Sequence, residues 1–239
     1  MDTFIFIPAY NVENELPSLL SRIPEEIWDR ASVSLINDGS KDDTLNKAME
    51  FKEKTNKKLE VFSFSENQGY GAVIKKGLSL ALETDASFIC CLHGDAQYPP
   101  EKLPAFLEAM KKNSIDVLQG SRHVEKGGAK RGGMPFYKRC GGFFLTSIEN
   151  LVFSTKLTDR HSGFLCFSRR FLKEIPWSRL GHSFDIDLEL LAFADARRYK
   201  VEERAIETRY AGEKSNLNVI TYGFRVLRIV FRKMMGLYS

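Results

Sequence analysis

The 239-residue sequence has only four cysteines, Cys90, Cys91, Cys140 and Cys166, and none forms a CxxC pair. A zinc knuckle and a disulfide framework are therefore not expected, and a reducing, cytoplasmic location is. No stretch reaches the roughly 18 apolar residues of a membrane span, and the apolar run in the opening MDTFIFIPAY is too short for a secretory leader. No segment is of low complexity or repeats at a fixed period, which excludes solenoids. The chain lacks the dinucleotide GxGxxG turn and the Walker lysine. It also lacks zinc-finger, helix-turn-helix and RNA-recognition patterns, so nucleic acid is not an expected partner. Nothing in it speaks to oligomeric state.

Acidic side chains are missing locally. Residues 126–148 and 214–239 each hold five Lys or Arg and no Asp or Glu, in a chain of net charge +4. The remainder is mildly acidic, so basic charge is concentrated where an anionic partner would be met.

What is present is an alternation. Short apolar or β-prone runs at 3–7, 32–36, 59–64, 87–92 and 115–119 predict strands, and helical spacing at 13–21, 42–54, 71–83 and 100–112 predicts helices between them. This pattern specifies a single α/β domain: a mostly parallel sheet with helices on both faces, binding its ligands beyond the carboxyl ends of the strands. Residues 122–139 break the rhythm with Gly127, Gly128, Gly132, Gly133 and Pro135 among basic residues, and predict a mobile loop. Helical patterns return at 143–153 and 185–197, with an apolar piece at 164–167 between them. A last helix is predicted over 219–235, with Phe224, Leu227, Phe231 and Met234 on one side and Arg225, Arg228 and Arg232 on another. Such a basic amphipathic helix suits a membrane surface and, equally, packing on the domain.

The candidate chemistry lies in polar clusters at the strand ends. PAYN (8–11) reads as a strand-to-helix turn as readily as a binding turn, and NDGS (37–40) followed by Asp42 and Asp43 reads also as a turn and helix cap. NQGYG (67–71) resembles a phosphate-cradling turn, with packing against the sheet as its plainer role. HGDAQ (93–97) is more specific. Asp95 and Gln97, two apart at a strand end, offer hard oxygen donors that suit magnesium or manganese on nucleotide phosphates.

In order along the chain, PAYN (8–11), NDGSKDDT (37–44), NQGYGAVIKKG (67–77), GDAQYPPE (94–101), GSR (120–122), DRHSGF (159–164) and RYAGEKS (209–215) resemble the motifs of the family 2 glycosyltransferases. Within that family they resemble the dolichyl-phosphate mannose synthase-like branch, whose acceptors are polyprenyl phosphates. The resemblance implies a Rossmann-like GT-A domain over 1–213, with 122–139 as a mobile basic acceptor loop and 214–239 as the basic helix. It also implies inverting transfer from a UDP- or GDP-linked nucleotide sugar. Pro8, Tyr10, Ile36 and Asp38 would surround the base and ribose, with Glu13, His93, Gly94 and Lys214 also on the donor side. Asp95 and Gln97 would hold Mg2+ or Mn2+, and Arg122 and Arg209 would face phosphates. A sugar leaving a nucleoside diphosphate builds negative charge on the departing phosphate, so positive groups are wanted there.

Three positions depart from the family pattern. His93 stands where an acid is usual, Val12 stands where the branch has Glu, with Glu13 next to it, and Glu213, Lys214, Ser215 replace Glu, Ser, Lys. Asp95, Arg122 and Asp159 form the expected catalytic set. A hydroxyl acceptor needs a general base, for which Asp159 and Asp187 are candidates, whereas a phosphate monoester with a second pKa of about 6 is largely ionised already. The preferred expectation is a polyprenyl phosphate met by Lys130, Arg131, Lys138 and Arg139, with the last helix on the cytoplasmic membrane face. The rivals are a transferase with a soluble saccharide acceptor and an inactive subunit that binds nucleotide sugar.

Overall fold

The computed structural model describes residues 2–208 and 219–238. β1 (Thr3–Ala9) leads through α1 (Leu16–Arg22) and α2 (Glu25–Arg30) to β2 (Ala31–Asn37). Then come α3 (Thr44–Lys54), β3 (Leu59–Ser63), α4 (Tyr70–Glu83), β4 (Phe88–Cys91), α5 (Leu103–Asn113) and β5 (Val117–Ser121). The second half holds α6 (Gly128–Arg131), α7 (Phe136–Val152), β6 (Leu165–Ser168), α8 (Arg169–Lys173), α9 (Ile186–Ala196), β7 (Val201–Ala205) and α10 (Val219–Met234).

Seven strands form one sheet in the order β3-β2-β1-β4-β6-β5-β7. All neighbours run parallel except β6, which is antiparallel to both β4 and β5. Because strand side chains alternate, Phe4 and Phe6 enter the core on one face while Ile5 and Ile7 enter the core on the other. β1 is buried throughout, as a strand covered on both faces must be. Consecutive apolar residues in TFIFI are thus the signature of two cores.

The expected loop over 122–139 carries helix instead. α7 starts at Phe136, directly after Pro135, whose fixed φ suits a helix start. Gly141 and Gly142 lie inside it, where an added Cβ would meet nothing within 4 Å. β7 was not anticipated: VEERA has no apolar run because it is a partly exposed strand that, among the described residues, pairs only with β5.

α10 packs on α7 and α9 through Val226, Ile229 and Val230, all buried. Its inner side also carries cations to acids at or on α9: Arg225 to Asp185 at 3.2 Å, Arg232 to Glu189 at 2.9 Å and Lys233 to Asp195 at 2.9 Å. These acids are buried and would be costly without a partner. Its outer side exposes Ile220, Phe224, Leu227, Phe231 and Met234. No helix among the described residues is long and apolar enough to cross a membrane.

Candidate active site

The ends of β1 and β2 are stitched together by their own polar residues. Asn11, in the left-handed region at φ 52°, donates its N–H to Ser40 Oγ (2.9 Å) and accepts the Lys41 N–H (2.9 Å). Val12 N–H reaches Thr44 Oγ1 (2.8 Å), Glu13 N–H reaches Asp42 Oδ2 (3.1 Å), and Glu13 Oε2 accepts the Asp43 N–H (2.7 Å). Asp38, buried at the end of β2, accepts the N–H groups of Gln68 (2.7 Å) and Gly69 (3.1 Å) just before α4. Burial pushes its carboxyl up, and those two N–H groups oppose the rise. Pro8 is buried beside this turn and Tyr10 is half-buried.

β4 ends in His93–Gln97. Gly94 donates to the Pro8 carbonyl (2.9 Å) at a place where a Cβ would fall 2.8 Å from that oxygen, so no larger residue fits. Ala96 is left-handed (φ 55°), and Asp95 Oδ1 accepts the Gln97 N–H at 3.1 Å. His93 Nε2 lies 3.1 Å from the Tyr70 hydroxyl, which donates to Asp187 Oδ2 at 2.8 Å. Burial pushes the His93 ring down and raises Asp187 to about 7, where the Tyr70 hydroxyl opposes the rise and Asp185 adds to it. Among the described residues no three His, Cys, Asp or Glu side chains gather as a metal cage. Asp95 and Gln97 would supply one or two oxygens and leave the rest of the shell to phosphates and water, the usual arrangement for magnesium on a nucleotide. The donor set fits a hard divalent ion.

β5 ends at Ser121, and Arg122 then turns to Asp159 in a two-pronged pair, Nε to Oδ2 at 2.6 Å and Nη2 to Oδ1 at 2.8 Å. Burial would raise Asp159, but the charge and hydrogen bonds of Arg122 outweigh it and hold the carboxyl far below the usual range. Oδ1 also accepts the His161 N–H (3.1 Å). The His161 ring bridges two helices: Nδ1 is 3.0 Å from the Tyr222 hydroxyl of α10, and Nε2 is 3.4 Å from Glu149 Oε2 of α7. Glu149 is fully buried, and neither of its oxygens has a hydrogen bond among the described residues. Burial pushes Glu149 up to about 8 against the pull of Arg160, and pushes His161 down to about 4 against Asp159. Both shifts favour the neutral forms, a protonated carboxyl facing an uncharged ring.

The profile of Glycosyl transferase family 2 matches residues 4–176, which include every strand end described above except that of β7. The chain belongs to glycosyltransferase family 2. It is thus a hexosyltransferase-type enzyme in a GT-A fold. Among its relatives is a UDP-N-acetylglucosamine–dolichyl-phosphate N-acetylglucosaminyltransferase of Methanococcus voltae, 25% identical over 97% of this chain and 96% of the relative. A dolichol-phosphate mannosyltransferase of Pyrococcus furiosus is 28% identical over 80% of this chain and 52% of its own. In three dimensions the chain is similar to Mycobacterium tuberculosis glucosyl-3-phosphoglycerate synthase solved with Mn2+, UDP-glucose and phosphoglyceric acid. That likeness has a TM-score of 0.70 at 14% identity, covers 98% of this chain and 79% of the other, and speaks for the fold.

The family 2 fold brings together Pro8, Tyr10, Asp38, His93, Gly94, Asp95 and Gln97 at neighbouring strand ends, as the sequence led us to expect. Ile36 requires correction. Its side chain is fully buried in the core beside Phe4 and Phe6, so it is closed to a nucleoside. Asp159 requires another: with Arg122 and the His161 N–H on its oxygens and its proton affinity suppressed, it holds Arg122 in place and is no base. Of the two acids considered for that role, Asp187 alone has a proton affinity near neutrality. Glu13 ties two loops together. Lys130 and Arg131 are exposed on α6, where Arg131 pairs with Glu125 at 3.0 Å, and Lys138 and Arg139 sit in the first turn of α7. Arg209 and Lys214 lie outside the described residues.

Tyr70 and Phe184 were not anticipated. Tyr70 falls inside NQGYG, where the glycines drew the reading, and its partners His93 and Asp187 are far away in sequence. Beside Ala96 and Gln97 opens a cleft of about 560 Å³, lined also by Lys102, Arg131, Glu207 and Thr208.

Proposed function

We propose that this family 2 enzyme transfers a hexose from a UDP- or GDP-linked donor, with inversion, to a polyprenyl phosphate at a membrane surface. The observation that carries the acceptor is the outer surface of two adjacent helices. α7 exposes Phe136, Tyr137, Phe143 and Phe144, and α10 exposes Phe224, Leu227 and Phe231. Arg228 is exposed among them, and half-buried Lys138 and Arg139 lie in the first turn of α7. Open aromatic and aliphatic side chains with basic residues beside them match the boundary between acyl chains and anionic headgroups. The polyprenyl-phosphate activities carried in the names of the relatives agree with this acceptor.

The enzyme's own residues supply position and charge. Asp95 and Gln97 would hold a divalent ion, which would supply positive charge at the departing diphosphate. Arg122, clamped by Asp159, keeps a fixed cation at the end of β5. An ionised phosphate acceptor attacks the sugar carbon from the face opposite the leaving group and needs no base. The test is transfer of labelled hexose from UDP- and GDP-sugars, with Mn2+ or Mg2+, into vesicles containing a polyprenyl phosphate. Label is expected in the organic phase. Label found only in water-soluble product would defeat the acceptor assignment. Asp95→Ala is expected to remove the metal-dependent part of the thermal shift given by the donor, and retention of that shift would defeat the metal assignment.

A second reading, a soluble hydroxyl acceptor, is favoured by Asp187. Its proton affinity near neutrality suits a general base, and the polar cleft beside Gln97 would receive a small saccharide or acid.

A further inference from the structure

The structure assigns Phe184 as a stacking platform for the hexose of the donor, an inference that rests on the nucleotide-sugar reading above. Phe184 is 38% exposed, yet the loop that carries it is firmly held. Lys75 Nζ donates to the Leu180 carbonyl at 2.8 Å, and the Gly181 N–H donates to Glu189. The loop is pressed against the first turn of α4: a Cβ on Gly71 would lie 2.3 Å from the His182 carbonyl carbon. Phe184 is therefore not a loose aromatic that finds cover by moving.

One face of its ring is already covered. Phe184 stacks on Tyr70 with centroids 5.1 Å apart and planes 16° apart. The Tyr70 hydroxyl bonds Asp187 and reaches His93, which is two residues before Asp95. The ring thus stands one ring thickness beyond the group of side chains next to the phosphate end of the site. A hexose hanging from that diphosphate would lie within reach. The negative face of an aromatic ring attracts the weakly positive C–H groups of a pyranose, and a fixed ring loses little freedom on binding.

The test is calorimetric titration of the full chain with a nucleoside diphosphate and with the matching nucleotide sugar, using wild type, Phe184→Leu and Phe184→Tyr. Phe184→Leu is expected to weaken the nucleotide sugar about 3- to 10-fold while leaving the diphosphate unchanged, and Phe184→Tyr to behave as wild type. Equal loss for both ligands, or no loss for either, would overturn the platform. Should Phe184→Leu fail to fold, Phe184→Met provides the same comparison. If wild type binds neither UDP- nor GDP-sugars, the donor reading falls and the platform with it, an outcome distinct from a selective failure of the variant.

Discussion

Replacing Glu149 by Gln keeps the shape of a fully buried side chain and removes its ionisation. An unfolded glutamate titrates near 4.5, whereas burial raises Glu149 to about 8 in the folded protein. The folded state therefore holds a proton that the unfolded state releases. The stability this provides is complete below about 4.5 and drains away as pH rises to about 8. Between pH 5.5 and 8 the change spans 2.5 pH units, which at about 1.36 kcal/mol per unit amounts to about 3 kcal/mol. His161 remains in both proteins, so its own titration cancels in the comparison. Urea unfolding at several pH values from 5.5 to 8.5 is the assay, with midpoint and slope fitted at each. Glu149→Gln is expected to gain about 3 kcal/mol on the wild type across that range, with the gap levelling off above pH 8. Parallel stability curves for the two proteins would refute the burial argument, because they would mean that water or a cation already satisfies the carboxylate.

Two further outcomes follow from the site. With a polyprenyl phosphate as acceptor, Asp187→Asn is expected to leave the pH profile of transfer without a changed limb near 7; a rise through about 7 that Asp187→Asn abolishes would identify Asp187 as the base for a hydroxyl acceptor. Asp159→Asn leaves the Arg122 guanidinium without its carboxylate and is expected to cost about 3 kcal/mol of stability by urea unfolding, as breaking a buried pair does, together with a large fall in transfer rate. Unchanged stability would mean that Arg122 finds water in place of Asp159.

The first five strands are legible because each is an apolar run bounded by polar turns, and the strand-end motifs are legible because the fold gathers strand ends in one crevice. Strand β7 escaped because half-exposed Glu and Arg carry no strand signal. The early start of α7 escaped because Gly132, Gly133 and Pro135, read as loop residues, run directly into it at Phe136. Ile36 lies one residue before the polar strand end, and the alternation of β2 sends it into one core and Leu35 into the other. The pairing of Arg122 with Asp159 spans 37 residues and that of Tyr70 with Asp187 spans 117, so no local pattern reports them. Resemblance named Arg122 but could not say that Asp159 holds it in place.

The three cations that α10 presents to Asp185, Glu189 and Asp195 bear on how this protein can be shortened or fused. A chain cut after residue 208 would lose these three ion pairs together with buried Val226, Ile229 and Val230, and would uncover the apolar faces of α7 and α9 that α10 packs on. The same helix turns Phe224 and Phe231 outward. On the proposed membrane reading, surface attachment and domain integrity would rest on one segment. A variant that tests that reading is made by exchanging the outward residues, with the helix itself left in place.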